Sequence, residues 1–198
     1  MKLETRKIRL SEGVFTSEFM FFDETDRPML KKMFEDWVSL CKQSLEIGTT
    51  RIINYPEALS EAVFAMDFGI GRSTKNISGT SSSFDHYDFN RNKRIQLKAA
   101  SSYGPSTFGP RSVYDELYFM FLRELADSKN KTDRDYSGKY EIYKIDPDIL
   151  PSIICNKKKM ETFADQQADG RRPRFSIPRQ LIEPLELNPI HTGDILSW

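Results

Sequence analysis

Residues 94–101, RIQLKAAS, alternate apolar and polar side chains with a period of two. In an extended strand that period sends Ile95, Leu97 and Ala99 to one face and Gln96, Lys98 and Ala100 to the other. One face suits a core; the other carries an amide and an ammonium, with Asp85 shortly upstream. A strand of this kind needs partner strands and covering helices to bury its apolar face.

The rest of the chain supplies candidates for both. In the first 25 residues, VFTSEFMFF reads as a short strand or as an arm packed on the body. From Pro28 to Leu45 the apolar residues Leu30, Met33, Phe34, Trp37, Leu40, Cys41 and Leu45 recur at helical spacing, with Pro28 suited to a first turn and Gly48 to a stop. A second helix begins at Pro56 and runs to Gly69, burying Leu59, Val63 and Met66. Glu57 and Glu61 share one of its faces, and a solvated first-turn carboxylate is the simplest reading of Glu57. The polar stretch GRSTKNISGTSSS then leads into strands at 84–87 and 94–101, and SSYGPSTFGPRS forms a loop with two Gly-Pro breaks. VYDELYFMFLREL and KYEIYKI read as a hairpin of buried strands. A short helix around Glu161 to Ala168 ends at Gly170, and GRRPRFSIPRQ is basic, with Pro173 and Pro178 holding it extended. The order α, α, β, β, β, β, α predicts an α/β (α+β) fold with a central mixed sheet flanked by helices. The expectation is a single domain over 1–198, with 1–25 as a possible arm and 165–198 as a C-terminal segment that contacts a partner.

Composition narrows the function classes. The 198 residues carry 29 basic and 29 acidic side chains, so bulk charge does not make this a nucleic-acid coat protein, and any such contact must be a local patch. No apolar run approaches the roughly 20 residues that span a bilayer, and the start MKLETRKIRLSEG has no apolar secretory core. Cys41 and Cys155 form neither a disulfide framework nor a zinc motif, and the reducing cytoplasm is the expected location.

An acid on one strand and a lysine on the next form a recurring device for cutting phosphodiesters. The acid holds a magnesium ion and the lysine, a compact point charge, orients or activates the attacking water. Asp85 followed by Gln96-Leu97-Lys98 resembles the PD-(D/E)XK nuclease superfamily. Phe84 stands where that pattern has proline, and Gln96 replaces its second acid. An amide oxygen is still a ligand for a hard cation but brings no charge. The resemblance therefore implies a further carboxylate, Glu61 on the preceding helix, and the main-chain carbonyl of Leu97 as another ligand. Without the resemblance, the same residues read as an exposed strand face with a solvated lysine.

The surrounding text adds to the likeness. FD, IQLKA, FGPRSVYDELYF and QQADGRRPRFS occur in that order over about residues 55 to 180. The run resembles small type II restriction endonucleases of the same superfamily that cut GCNGC. This implies Mg2+-dependent hydrolysis of double-stranded DNA at a short interrupted GC-rich palindrome, within a restriction-modification system and with no other small-molecule cofactor. A palindrome cut on both strands by one site per chain implies a homodimer.

Independently of the resemblance, Arg171, Arg172 and Arg174 lie within four residues, close to Gln166 and Gln167. Arginine and glutamine are readers of base edges and phosphates, although such a run also reads as a solvated basic segment. Arg111 and Ser112 follow the catalytic strand on a loop positioned to reach a groove. Asp115 and Glu116 read either as acceptors for cytosine or as bridges to internal arginines. His86 should face away from Asp85 and read as structural. Two further functions stay open: a non-catalytic DNA-binding module that has lost its acid at Gln96, and a structure-specific repair or junction nuclease.

Overall fold

The computed structural model describes residues 1–48, 53–75, 77, 83–110, 112–128 and 134–198. In chain order the strands are β1 (Lys2–Leu10), β2 (Gly13–Phe21), β3 (Gly71–Ser73), β4 (His86–Asp88), β5 (Lys93–Ala100), β6 (Ser106–Thr107), β7 (Glu116–Phe121), β8 (Lys139–Ile145), β9 (Ile154–Asn156), β10 (Glu161–Thr162), β11 (Arg174–Phe175) and β12 (His191–Asp194). The helices are α1 (Arg27–Glu46), α2 (Glu57–Phe68), α3 (Arg123–Asp127) and α4 (Phe163–Ala168). Eight strands form one sheet in the order β1-β2-β3-β4-β5-β7-β8-β12, and β9–β10 and β6–β11 make two small ribbons. Within the large sheet β5 and β7 run parallel and the other pairs antiparallel, which makes it mixed, as the element order implied.

The sheet is covered on both faces. Ile95 and Leu97 of β5, with Tyr118 and Met120 of β7, pack against Leu30, Phe34 and Trp37 of α1 and Leu59, Val63 and Phe64 of α2. Leu117, Phe119 and Phe121 of β7 point the other way, into a cluster with Phe108, Phe163 and Phe175. Burial on both faces explains why ELYFMF reads as a continuous apolar run and not an alternating one. The alternation expected of β5 is present, with Ala99 against the first cluster and Ala100 against the second.

Both long helices form where the spacing puts them. Pro lies in the first turn of α1, and α2 runs from Pro56 to Gly69, whose φ of +61° gives it the left-handed conformation favoured after a helix. Every residue of α2 from Leu59 to Ala65 is buried, so this helix has no polar face in that stretch. Met33 and Leu40 depart from expectation. They are 37% and 51% exposed and lie on the outer side of α1, because the buried stripe of Leu30, Phe34, Trp37 and Cys41 is narrow.

Other corrections concern the ends and one connection. Within residues 1–25, β1 and β2 form a nine-pair hairpin that joins the sheet through β3. Ile8 and Phe19 close a third apolar cluster with Ile77 and Tyr87. The polar stretch after Gly69 begins with β3, and residues 76 and 78–82 lie outside the described residues. β7 and β8 do pair, but α3 intervenes between them, and residues 129–133 of that connection also lie outside the described residues. In the tail, Pro178 does not hold the chain extended. It opens a single helical turn, Pro178–Ile182, with Leu181 and Ile182 buried, a place where a missing N–H costs nothing. The chain then returns as β12 along β8. Lys31 of α1 ties the end of the chain down, donating to the Leu196 carbonyl at 2.6 Å. Among the described residues no helix is long and apolar enough to cross a membrane.

Candidate active site

β4 and β5 bring Asp85, Gln96, Leu97 and Lys98 together. The Asp85 amide donates to the Ile95 carbonyl at 3.0 Å, which continues the β4–β5 pairing one step before His86. The same Asp85 Oδ2 accepts from the Leu97 amide at 2.7 Å and from the Gln96 side-chain amide. Burial raises the Asp85 carboxyl to about 6, against the pull of Lys98 and of the Leu97 N–H. Gln96 is buried, and its amide also lies 3.3 Å from the Leu97 carbonyl oxygen.

Glu61 reaches the site from α2. It is 7% exposed, and its Oε2 accepts from Arg72 Nε of β3 at 2.6 Å. Burial, and next the Asp85 charge, push its carboxyl up to about 7, with Arg72 opposing both. Beneath this pair lies His86, fully buried. Its Nε2–H donates to the Glu61 main-chain carbonyl at 2.8 Å and its ring packs 4.9 Å from Phe64. Burial drives its basicity down to about 3, so the imidazole is neutral. It is a strut between β4 and α2, in keeping with the expectation that it faces away from Asp85.

Two adjoining hollows open onto these residues. One, of about 320 Å³, is lined by Asp85, Gln96, Lys98, Phe108, Ser112 and Arg172. The other, of about 670 Å³, is lined by Glu61, Leu97, Lys98, Ser106 and Arg174. Glu57, Lys98 and Thr107 border both, which puts Lys98 on the partition between them. The ammonium of Lys98 sits 5.7 Å above the Phe108 ring. Its backbone is fixed by the parallel pairing of Lys98 with Phe119.

The remaining sequence candidates divide. Ser112, Arg172 and Arg174 line the hollows. Gln166 is buried, and its side chain is turned to Glu161. Gln167 donates to the Gly109 carbonyl at 3.3 Å, and Arg171 is held by Glu161 at 3.0 Å and Asp169 at 2.8 Å. Arg111 lies outside the described residues. Asp115 grips Arg94 with both oxygens, and Glu116 binds Arg91 and Lys144, so both acids are internal bridges. Arg72, the counter-ion of Glu61, escaped the sequence reading, and Glu57, read there as a solvated first-turn carboxylate, stands on the lip of both hollows.

Among the described residues no three carboxylate, imidazole or thiol groups converge on one point. The donors that do converge are the carboxylates of Asp85 and Glu61, the Gln96 amide and the Leu97 carbonyl. The carboxylates and the carbonyl are hard-oxygen donors of the kind magnesium takes, while Gln96 turns its NH2 group to Asp85 and to the Leu97 carbonyl and would have to flip to offer its oxygen. The repulsion that Asp85 exerts on Glu61 is what a divalent cation between them would relieve, and the set fits such an ion.

No solved structure matches the chain. The type II restriction enzyme Bsp6I of Bacillus sp. (strain RFL6) is 34% identical over 146 residues, which is 71% of this chain and 72% of that enzyme. The family model for the Bsp6I restriction endonuclease matches residues 22–184, beginning just after β2 and so leaving out the β1–β2 hairpin. With that match spanning both hollows and every described residue around them, the chain belongs to the Bsp6I restriction endonuclease family.

Proposed function

We propose that the chain is a cytoplasmic, Mg2+-dependent type II endonuclease of the PD-(D/E)XK kind, acting as a homodimer on GCNGC or a closely similar interrupted palindrome. The observation that carries the chemistry is the convergence of Asp85, Gln96 and Lys98 in a hollow rimmed by Arg172 and Ser112. Asp85, Glu61 and the Leu97 carbonyl would hold the metal, joined by the amide oxygen of Gln96 once its side chain flips from the orientation that gives its N–H to Asp85. The metal supplies charge neutralisation at the scissile phosphate and a more acidic water. Lys98 orients the attacking water and meets the charge that develops on the phosphate. Arg172, Arg174 and Ser112 hold the backbone of the DNA against the hollows. Arg72 keeps Glu61 placed, a positioning role.

Gln96 where the superfamily pattern has an acid favours one second reading, a DNA-binding module without chemistry. Plasmid DNA with Mg2+ separates the two. The wild type is expected to give discrete fragments with one shared end sequence, and Asp85→Ala and Lys98→Ala to give none while still binding DNA. Removal of the Lys98 charge should lower turnover by roughly 10²- to 10³-fold, as loss of a single charge-stabilising donor does elsewhere. Tight binding by a wild type that never cuts would select the module instead.

A further inference from the structure

The turn between β9 and β10 carries Lys157, Lys158, Lys159 and Met160, all exposed. Asn156 shapes it, its side-chain oxygen accepting from the Lys158 amide at 3.1 Å and the Lys159 amide at 3.4 Å. Met160 sits at φ +53°, a conformation that side-chain-bearing residues seldom adopt. It leaves 65% of its surface in solvent, the highest value after Ile47 among the large hydrophobics of the described residues, shared with Val14. Of the three lysines only Lys159 has an acid within 4 Å, Glu161 at 3.9 Å. Lys157 and Lys158 make no ion pair among the described residues.

The base of this hairpin is fastened to the wall of the hollows. Glu161 holds Arg171, and the next residue, Arg172, lines the smaller hollow. One turn of chain later Arg174, paired through β11 to β6, lines the larger one. Cys155 of β9 lies against the Arg174 backbone. In a chain with no net charge, Lys157 and Lys158 of the hairpin therefore add to Arg172 and Arg174 of the segment it braces, which line the hollows that Lys98 borders.

Resting on the nuclease reading, we infer that the Lys157–Met160 turn is a DNA-contacting finger. Its lysines lie on phosphates flanking the scissile site, and Met160 presses on sugar and base edges in the minor groove. Phosphate contacts from lysine are sequence-independent and release counterions. An exposed methionine at the tip of a basic element has the chemistry of an apolar wedge.

The test uses the full chain and a labelled duplex oligonucleotide of arbitrary sequence, in chelator so that nothing is cut, titrated across a range of salt. Replacing Lys157, Lys158 and Lys159 together by Gln is expected to reduce the slope of log K against log[salt] by about 2 to 3. The wild-type advantage should accordingly shrink roughly 40-fold between about 50 and about 200 mM salt. Met160→Gly relieves the backbone and removes the tip. It is expected to leave the melting temperature the same or higher while weakening DNA binding several-fold at unchanged slope. An unchanged slope in the triple variant, with wild-type binding intact, overturns the finger and leaves the nuclease reading standing. A Met160→Gly protein that binds as the wild type overturns the wedge. A wild type that neither binds nor cuts DNA overturns the nuclease reading itself.

Discussion

Gln96→Glu tests the site at its most unusual residue. Gln96 is buried and donates to Asp85, so the substitution removes a donor and sets a second carboxylate against the first. At about 4 Å and an effective dielectric near 20, two such charges repel by roughly 4 kcal/mol. The cheaper escape is for the pair to keep one proton. With the Asp85 carboxyl already raised to about 6, holding that proton at about pH 8 costs roughly 3 kcal/mol at 1.36 kcal/mol per pH unit. A chain of this size loses about 2 to 4 °C per kcal/mol, so the variant should melt roughly 6 to 12 °C lower than the wild type at about pH 8. At about pH 6 most of that loss should vanish. Mg2+ or Ca2+ should restore the variant more than it stabilises the wild type, because a cation that binds only the folded state stabilises by mass action. Calorimetry at the two pH values, with and without cation, reads all of this. A variant that melts with the wild type at high pH in chelator, or a loss equal at both pH values, would show that residue 96 does not face Asp85 as described.

Two further predictions concern Glu61 and the far edge of the sheet. Glu61, held at about 7 where an unperturbed glutamate lies near 4.5, binds its proton more tightly folded than unfolded. Its contribution to stability therefore rises as pH falls from about 7 to about 4.5. Glu61→Gln should lack that dependence, gaining on the wild type by up to about 3 kcal/mol between about pH 5 and pH 8 in denaturant titrations without metal; parallel curves would refute it. At the far edge of the sheet, Gly193 of β12 lies under the Tyr140 ring, where an added Cβ would meet Oη at 2.2 Å and Cζ at 2.3 Å. Gly193→Ala must displace the ring and break its 2.6 Å hydrogen bond to Asp67. It should cost about 2 to 4 kcal/mol and be clearly less than additive with Tyr140→Ala, whereas simple additivity would mean that the ring does not cover Gly193.

What was legible in the sequence was what is local. The two-residue period of β5 put Gln96 and Lys98 on one face because strand geometry leaves no alternative. The spacing of α1 and the proline and glycine at the ends of α2 likewise speak for themselves. Partnerships across the fold were not legible. Arg171 looked as available as Arg172, yet Glu161 and Asp169 neutralise one and leave the other in the hollow. Gln166 is turned inward by α4, a helix too short for its facing to be read from periodicity. Met33 and Leu40 looked like core because apolar spacing marks a stripe without giving its width.

Arg72 is the most instructive omission, since nothing in GRS announces a strand, let alone a counter-ion. β3 exists because β2 and β4 pair with it on either side. The register that sets Arg72 opposite His86 also sends its guanidinium to Glu61. A three-residue strand held between the β1–β2 hairpin and the site thus supplies the counter-ion that opposes burial and the Asp85 charge at Glu61. It follows that β2, although it lies outside the region matched by the family model, is mechanically coupled to Glu61. A substitution that loosens the pairing of Met20 with Arg72 should therefore reach Glu61 before it reaches Asp85, which β5 holds through the Leu97 amide.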